Sequence, residues 1–233
     1  MDQKITDLIN KVDSAISLTN RGMTKLTQKQ FDILGMASTK NRVLLNNLVD
    51  QNTRYLEIGN WLGSTFVAAL YGNPYEYAIA IDNFSEFGRD SNLKHIGTNY
   101  DICPDEKTFR NNVENNGIVK YTFINADCFN LTSEQKEIIK DINVYFYDGG
   151  HTEDDQRKAI TYYLDCMQDI FLLIVDDWNH PPAKTGTALG IKETNLAIHK
   201  EWHLNTPENR DSTSWWNGVY LAVCEKPKRE IKI

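Results

Sequence analysis

Apolar residues recur at helical spacing through roughly the first fifty positions, and the pattern then changes to short continuous runs. Ile5, Leu8, Ile9, Val12 and Ile16 are interrupted by charges, which predicts an amphipathic helix near 2–19. Lys40 to Val49, with its Val-Leu-Leu-Asn-Asn-Leu-Val core, predicts a second helix leading into the first strand. Runs at 55–58, 77–81, 121–124, 142–147 and 170–175 have the length and β-branched character of buried strands. Helical segments at 64–71, about 105–116, 133–140 and 152–168 alternate with them. This alternation predicts an α/β fold, a mostly parallel doubly wound sheet with helices on both faces. After the fifth run, Thr187 to His199 reads as helical, and strands near 201–206 and 215–224 follow with no helix between them.

Composition narrows the function classes. The 233 residues suffice for one domain with a substantial core, and 41% hydrophobic with 24% charged residues is ordinary for a globular protein. A formal net charge of −7 argues against nucleic acid as partner, since such partners select a basic surface. Neither a secretory nor a membrane signal is visible, so no membrane partner is expected and the expected compartment is the cytoplasm. Cys103, Cys128, Cys166 and Cys224 are scattered without a C-x-x-C pair and read as reduced thiols.

The first strand ends in a glycine-punctuated turn, Tyr55-Leu-Glu-Ile-Gly-Asn-Trp-Leu-Gly-Ser-Thr65. Glycines at a strand-to-helix crossover allow positive φ and close approach of a ligand to the backbone. An open α/β sheet grips adenine-containing cofactors at that point. The spacing is Glu-x-Gly-x-x-x-Gly, which differs from the nicotinamide fingerprint, and no Lys-Ser/Thr pair is present for a triphosphate. It resembles the first motif of class I S-adenosylmethionine-dependent methyltransferases. That resemblance implies a Rossmann-like, seven-stranded, mostly parallel sheet ending in an antiparallel hairpin, which agrees with the last two strand candidates. It also implies a cofactor site at Glu57, Gly59, Asn60, Gly63, Ser64 and Thr65.

Acids stand at the end of nearly every predicted strand: Asp82 (followed by Asn83), Asp127, Asp148 and the pair Asp176-Asp177. In an open parallel sheet these ends share one edge. Any single acid there can be a helix cap, but so many carboxylates together raise one another's pKa unless a cation lies among them. A hard divalent cation on oxygen ligands resolves the repulsion. Asp82, with Asn83, is placed for ribose hydroxyls. Asp127, with Cys128 behind it, lies where adenine would, and reads equally as a helix N-cap.

Tyr147-Asp-Gly-Gly-His-Thr152 followed by Val175-Asp-Asp-Trp-Asn179 resembles the metal-dependent O-methyltransferases, both the catechol group and the enzymes acting on sugars in macrolide and aminocoumarin biosynthesis. The resemblance covers roughly residues 50–225. It implies that Asp148, Asp176 and Asp177 hold Mg²⁺ (or Mn²⁺) and that His151, three positions after Asp148, is the general base. His180 is the second candidate base. Trp178, Asn179 and His180, in a loop stiffened by Pro181-Pro182 and turned by Gly186, are expected to face the acceptor. Trp215 and Trp216 read as hairpin packing.

The expected organisation is a helical N-terminal extension over 1–45, a methyltransferase domain over 46–226 and a tail over 227–233. The extension would serve as a homodimer interface or a lid. The reading is an S-adenosylmethionine-dependent, Mg²⁺-assisted O-methyltransferase whose acceptor is a sugar hydroxyl. A catechol-like or other small-molecule hydroxyl is the rival acceptor. A non-catalytic cofactor-binding protein is the rival from another class.

Overall fold

The apolar runs pair as one seven-stranded sheet. The computed structural model describes residues 2–85 and 104–228; Cys103 and the end of the expected tail lie outside them. The strands are β1 (Arg54–Ile58), β2 (Tyr77–Asp82), β3 (Tyr121–Asn125), β4 (Ile142–Tyr147), β5 (Met167–Val175), β6 (Ala197–Leu204) and β7 (Val219–Glu225). Their order is β3-β2-β1-β4-β5-β7-β6. The first five are parallel, and β7 enters antiparallel between β5 and β6.

Residues of the central strands alternate between two cores. Tyr55, Val144, Leu172 and Leu221 face one, while Leu56, Tyr145, Leu173 and Ala222 face the other. Two-sided burial explains why these strands read as unbroken hydrophobic runs. At the edge, β6 carries His199, Lys200, Glu201 and His203, charged or polar groups that discourage pairing with another sheet.

The helices are α1 (Gln3–Asn20), α2 (Gln28–Phe31), α3 (Thr39–Leu48), α4 (Ser64–Leu70), α5 (Glu106–Glu114), α6 (Ser133–Ile138), α7 (Glu153–Thr161) and α8 (Pro181–Thr194). Two expectations change. The boundary expected after residue 45 falls inside α3, and Val12 and Ala15 of α1 join Leu44, Leu48 and Leu221 in the first core. The N-terminal helices are therefore part of the main core, not an extension. The segment Pro181–Gly186, expected as a loop, is the start of α8. Proline fits the first turn because that position has no intrahelical N–H partner to lose. Gly186 and Gly190 let α8 lie tightly on α7: a Cβ there would stand 2.2 Å from the Glu153 carbonyl oxygen and 2.8 Å from that of Arg157. Among the described residues no helix is long and apolar enough to cross a membrane.

Register aligns the strand ends. Ile58 pairs with Ile81 and Tyr147, and Tyr147 pairs with Val175. The next residue of each strand is then Gly59, Asp82, Asp148 and Asp176, side by side. Three backbone bonds stitch this edge: Gly59 N–H to Ile81 O (3.0 Å), Asp148 N–H to Ile58 O (2.9 Å) and Asp176 N–H to Tyr147 O (3.1 Å).

Candidate active site

The β1–α4 loop is held by two carboxylates. Asp82 Oδ2 accepts from the backbone N–H groups of Asn60 and Trp61, both at 2.7 Å, and Oδ1 accepts from Phe84 N–H at 2.7 Å. A carboxylate offers about four acceptor positions, so Asp82 keeps capacity for a ligand hydroxyl. Glu57 is fully buried beneath the loop. It accepts from Tyr55 Oη–H (2.7 Å), Thr65 Oγ1–H (2.7 Å) and Asn60 Nδ2–H (3.0 Å). Burial pushes its carboxyl up to about 7 against those bonds.

Both loop glycines have left-handed backbone, with φ of 84° at Gly59 and 83° at Gly63. Their neighbours differ from the expectation. A Cβ on Gly59 would stand 1.8 Å from the carbonyl oxygen of Asp148, and one on Gly63 would stand 3.0 Å from the ring of Phe109. The first glycine is required by the close approach of the β4 end, and the second by packing on α5. Neither Glu57 nor Gly63 reaches the cavity wall; both shape the loop from behind.

A cavity of about 460 Å³ opens along the stitched strand ends. Its β1–β2–β3 side carries Gly59, Asn60, Ser64, Thr65, Asp82, Asn83, Asp127 and Cys128, and Trp61 also lines it. Asp127 is exposed and its Oδ1 accepts from Phe129 N–H at 2.9 Å, a turn-type bond. Cys128 is a neutral thiol at physiological pH, since burial pushes it up to about 12.

The β4–β5 side carries Asp148, His151, Asp176 and Asp177. Asp148, His151 and Asp177 each offer a ligand atom within 4.8 Å of the others. Asp177 has left-handed backbone (φ 55°), which turns its carboxylate toward His151 Nε2 and Asn217. Asn217 Nδ2–H donates to Asp177 Oδ1 at 2.6 Å. Burial alone would raise the Asp177 carboxyl, but the His151 and Asn217 bonds hold it below the ordinary value. Burial and the charges of Asp176 and Asp177 drive Asp148 well above its ordinary value. Burial, then the charge of Asp177, does the same to Asp176. Asp176 Oδ1 is buried with no hydrogen-bond partner among the described residues. Three mutually repelling carboxylates, one buried oxygen without a donor and an adjacent imidazole form a donor set that fits a divalent cation.

The expected acceptor loop is turned away from the cavity. Trp178 is buried, stacks on Tyr220 with ring centroids 4.2 Å apart, and donates from Nε1 to His203 Nδ1 at 2.8 Å. Asn179 Nδ2–H donates to Thr206 O at 2.8 Å, and His180 N-caps α8. Trp178 and Asn179 brace β6, β7 and their connection, while His180 is exposed at the start of α8; on this side the cavity wall is made by the connection itself, through Arg210, Trp216 and Asn217. Trp215 packs in the core as expected, with Lys40 Nζ 4.4 Å from its ring centroid. Its neighbour Trp216 takes φ 56° and lines the cavity. Met36 and Ala37, before α3, also line it and carried no sequence signal.

No protein-family model matches the chain, and no curated protein matches it in sequence. Solved structures do match it in shape. One, provisionally described as a methyltransferase and complexed with S-adenosylhomocysteine, has a TM-score of 0.55 at 12% identity over 82% of this chain and 50% of its own. The chain thus spans about half the length of that protein. A Klebsiella pneumoniae protein provisionally described as an O-methyltransferase scores 0.50 at 15% identity, covering 97% and 91% of the two chains. A Streptococcus pneumoniae protein provisionally described as a tRNA (m1A22) methyltransferase, complexed with S-adenosyl-L-methionine, scores 0.51 at 13% identity over 84% and 76%. The chain has the Rossmann-like methyltransferase fold. In that fold the antiparallel β7 closes the sheet beside β5, which brings the β6–β7 connection over the Asp148–Asp177 cluster. Identities of this size establish the fold and leave the chemistry to the residues.

Proposed function

We propose that the protein is an S-adenosylmethionine-dependent methyltransferase acting on a hydroxyl oxygen, with a sugar as the acceptor. One observation carries the reading: a single cavity joins the Asp82-anchored glycine loop to the Asp148–His151–Asp177 cluster. A cofactor grip and an acceptor-activating group are then neighbours. The neighbouring structures complexed with S-adenosylhomocysteine or S-adenosyl-L-methionine support this choice of cofactor.

Each residue takes a role its position allows. Asp82 accepts from the ribose hydroxyls with the capacity its backbone bonds leave. Asn60, Ser64 and Thr65 offer polar groups to the amino-acid part, and Asp127 with Cys128 borders the adenine. Methyl transfer from a sulfonium is an in-line displacement, so the walls mainly orient two reactants and exclude water. A sugar hydroxyl is weakly acidic and needs help in losing its proton. Asp148 and Asp177, with Asp176 behind them, would hold Mg²⁺ or Mn²⁺, which when bound makes a neighbouring hydroxyl more acidic. His151 takes the proton, and the Asp177 carboxylate fixes the ring and stabilises its charged form. The indole of Trp216 beside Asn217 offers a face and an amide that suit a sugar ring.

Methyl transfer to a panel of sugars and nucleotide sugars should stop in chelator and return with Mg²⁺ or Mn²⁺. His151→Ala should lower turnover by roughly 10²–10⁴-fold while leaving S-adenosylhomocysteine affinity unchanged. Full turnover in chelator would remove the cation, and full turnover in His151→Ala would remove the base.

A further inference from the structure

Every charged side chain on the described cavity wall is an aspartate or His151, with one exception, Arg210. The bound sulfonium donor of the proposed reaction carries two positive groups, which an aspartate-rich wall suits, and one carboxylate, so the position of Arg210 decides whether its guanidinium serves the donor or the acceptor. Arg210 belongs to the other side of the cavity. Its backbone N–H donates to Asn217 Oδ1 at 2.7 Å, and Asn217 Nδ2–H donates to Asp177 Oδ1 at 2.6 Å. One amide side chain thus links the Arg210 backbone to the acceptor-activating cluster. The guanidinium is exposed and forms no ion pair with any carboxylate of the described residues. Arg210 and Trp216 both hold left-handed backbone (φ 62° and 56°): Arg210 directly precedes a short antiparallel bridge between Asp211 and Trp216, and Trp216 is the second member of that bridge. Non-glycine residues keep such conformations where the surroundings impose them, and here that presents a cation and an aromatic face together.

We propose that Arg210 and Trp216 form a specificity subsite for an acceptor that carries an oxyanion, a carboxylate or a phosphate, within about one ring of the methylated hydroxyl. The proposal rests on the methyltransferase reading above. Trp216 covers the face of the acceptor ring, and Arg210 receives the anionic group through its planar fork of N–H donors. The acceptor hydroxyl then points at Asp148, His151 and Asp177. The subsite also rejects neutral sugars, because leaving a guanidinium beside a neutral group forgoes a charge-assisted bond.

The test uses calorimetry on the full chain in Mg²⁺. S-adenosylhomocysteine is titrated first; if it does not bind, the methyltransferase reading fails, independently of the subsite. The cofactor-saturated protein is then titrated with glucose 1-phosphate, glucuronate and methyl glucoside. At least one anionic probe should bind about tenfold or more tightly than the neutral one, the usual margin for a charge-assisted bond. Arg210→Ala should abolish that margin and leave the cofactor affinity unchanged. Arg210→Gly, which suits the left-handed backbone, should do the same without altering the melting temperature. Arg210→Lys separates the two anion types: it keeps part of a phosphate preference, which a point charge serves, and loses a carboxylate preference, which needs the fork. Equal binding of neutral and anionic probes, no binding by either anionic probe, or a margin that survives in Arg210→Ala would overturn the proposal. A loss of cofactor affinity in Arg210→Ala would overturn it too, by assigning the guanidinium to the cofactor carboxylate.

Discussion

Glu57 and Asp82 are carboxylates within one loop system, yet their surroundings give them different duties. Glu57 is sealed under the loop and raised to about 7 by burial. Its folded-state value lies above the ordinary carboxylate value, so the folded form binds the extra proton between roughly pH 4.5 and 7. The stability this provides is fully present below about pH 4.5 and is lost as pH rises through 7. Glu57→Gln keeps a side chain able to accept from Thr65 and removes the titration. Its melting temperature relative to the wild type should therefore climb across that window, by the equivalent of about 3 kcal/mol at most. A parallel pH profile for the two proteins would show that Glu57 does not titrate there. Asp82 is anchored by three backbone amides, so Asp82→Ala should loosen the loop as well as remove a ligand acceptor. The expected loss is about 1–3 kcal/mol in S-adenosylhomocysteine affinity, and an unchanged dissociation constant would move the ribose contact elsewhere. The sequence made Asp82 visible as an acid ending a strand. It could not show the amide anchorage, because that depends on the loop's path. Gly59 was legible as a special backbone position, but its partner was not: the approaching group is the Asp148 carbonyl, 89 residues on in the chain.

At the scale of elements, strands were easier to read than the surfaces they support. Buried runs such as 77–81 and 142–147 marked β2 and β4 to within a residue, since two-sided burial leaves an unbroken apolar signal. The start of α8 was misread because Pro-Pro and Gly are loop residues by propensity; tertiary packing on α7 decides instead. Gly186→Ala tests this directly. Helix propensity alone would favour alanine by about 1 kcal/mol. The added methyl would meet the Glu153 carbonyl at 2.2 Å, and overpacking of this kind costs about 1–3 kcal/mol. The variant should melt lower than the wild type; a higher melting temperature would mean that helix propensity, not the α7–α8 contact, decides the residue at this position. Two tryptophans make the same point. Trp178 follows the acid pair and was expected at the ligand, yet its indole stacks on Tyr220, while Trp216 reaches the cavity because its left-handed backbone turns it out of the hairpin. Side-chain direction at a strained turn has no periodicity to betray it.

For the whole molecule, the decisive arrangement is the stitched edge where Gly59, Asp82, Asp148 and Asp176 fall in line. Acids at successive strand ends foretold that edge, because parallel pairing leaves few other places for them. The wall opposite, built from Arg210, Trp216 and Asn217, was not foretold: its residues come from an irregular connection between antiparallel strands. The N-terminal helices were foretold as helices but not as part of the core, since amphipathicity says that a face is covered without saying by what. The central claim is that this edge binds an S-adenosylmethionine-type cofactor. Calorimetric titration of the wild-type chain with S-adenosylhomocysteine measures it most directly. The account predicts saturable binding at one site per chain, weakened in Asp82→Ala and unchanged in His151→Ala. Absence of saturable heat up to millimolar cofactor, from a chain that still melts cooperatively, would contradict it.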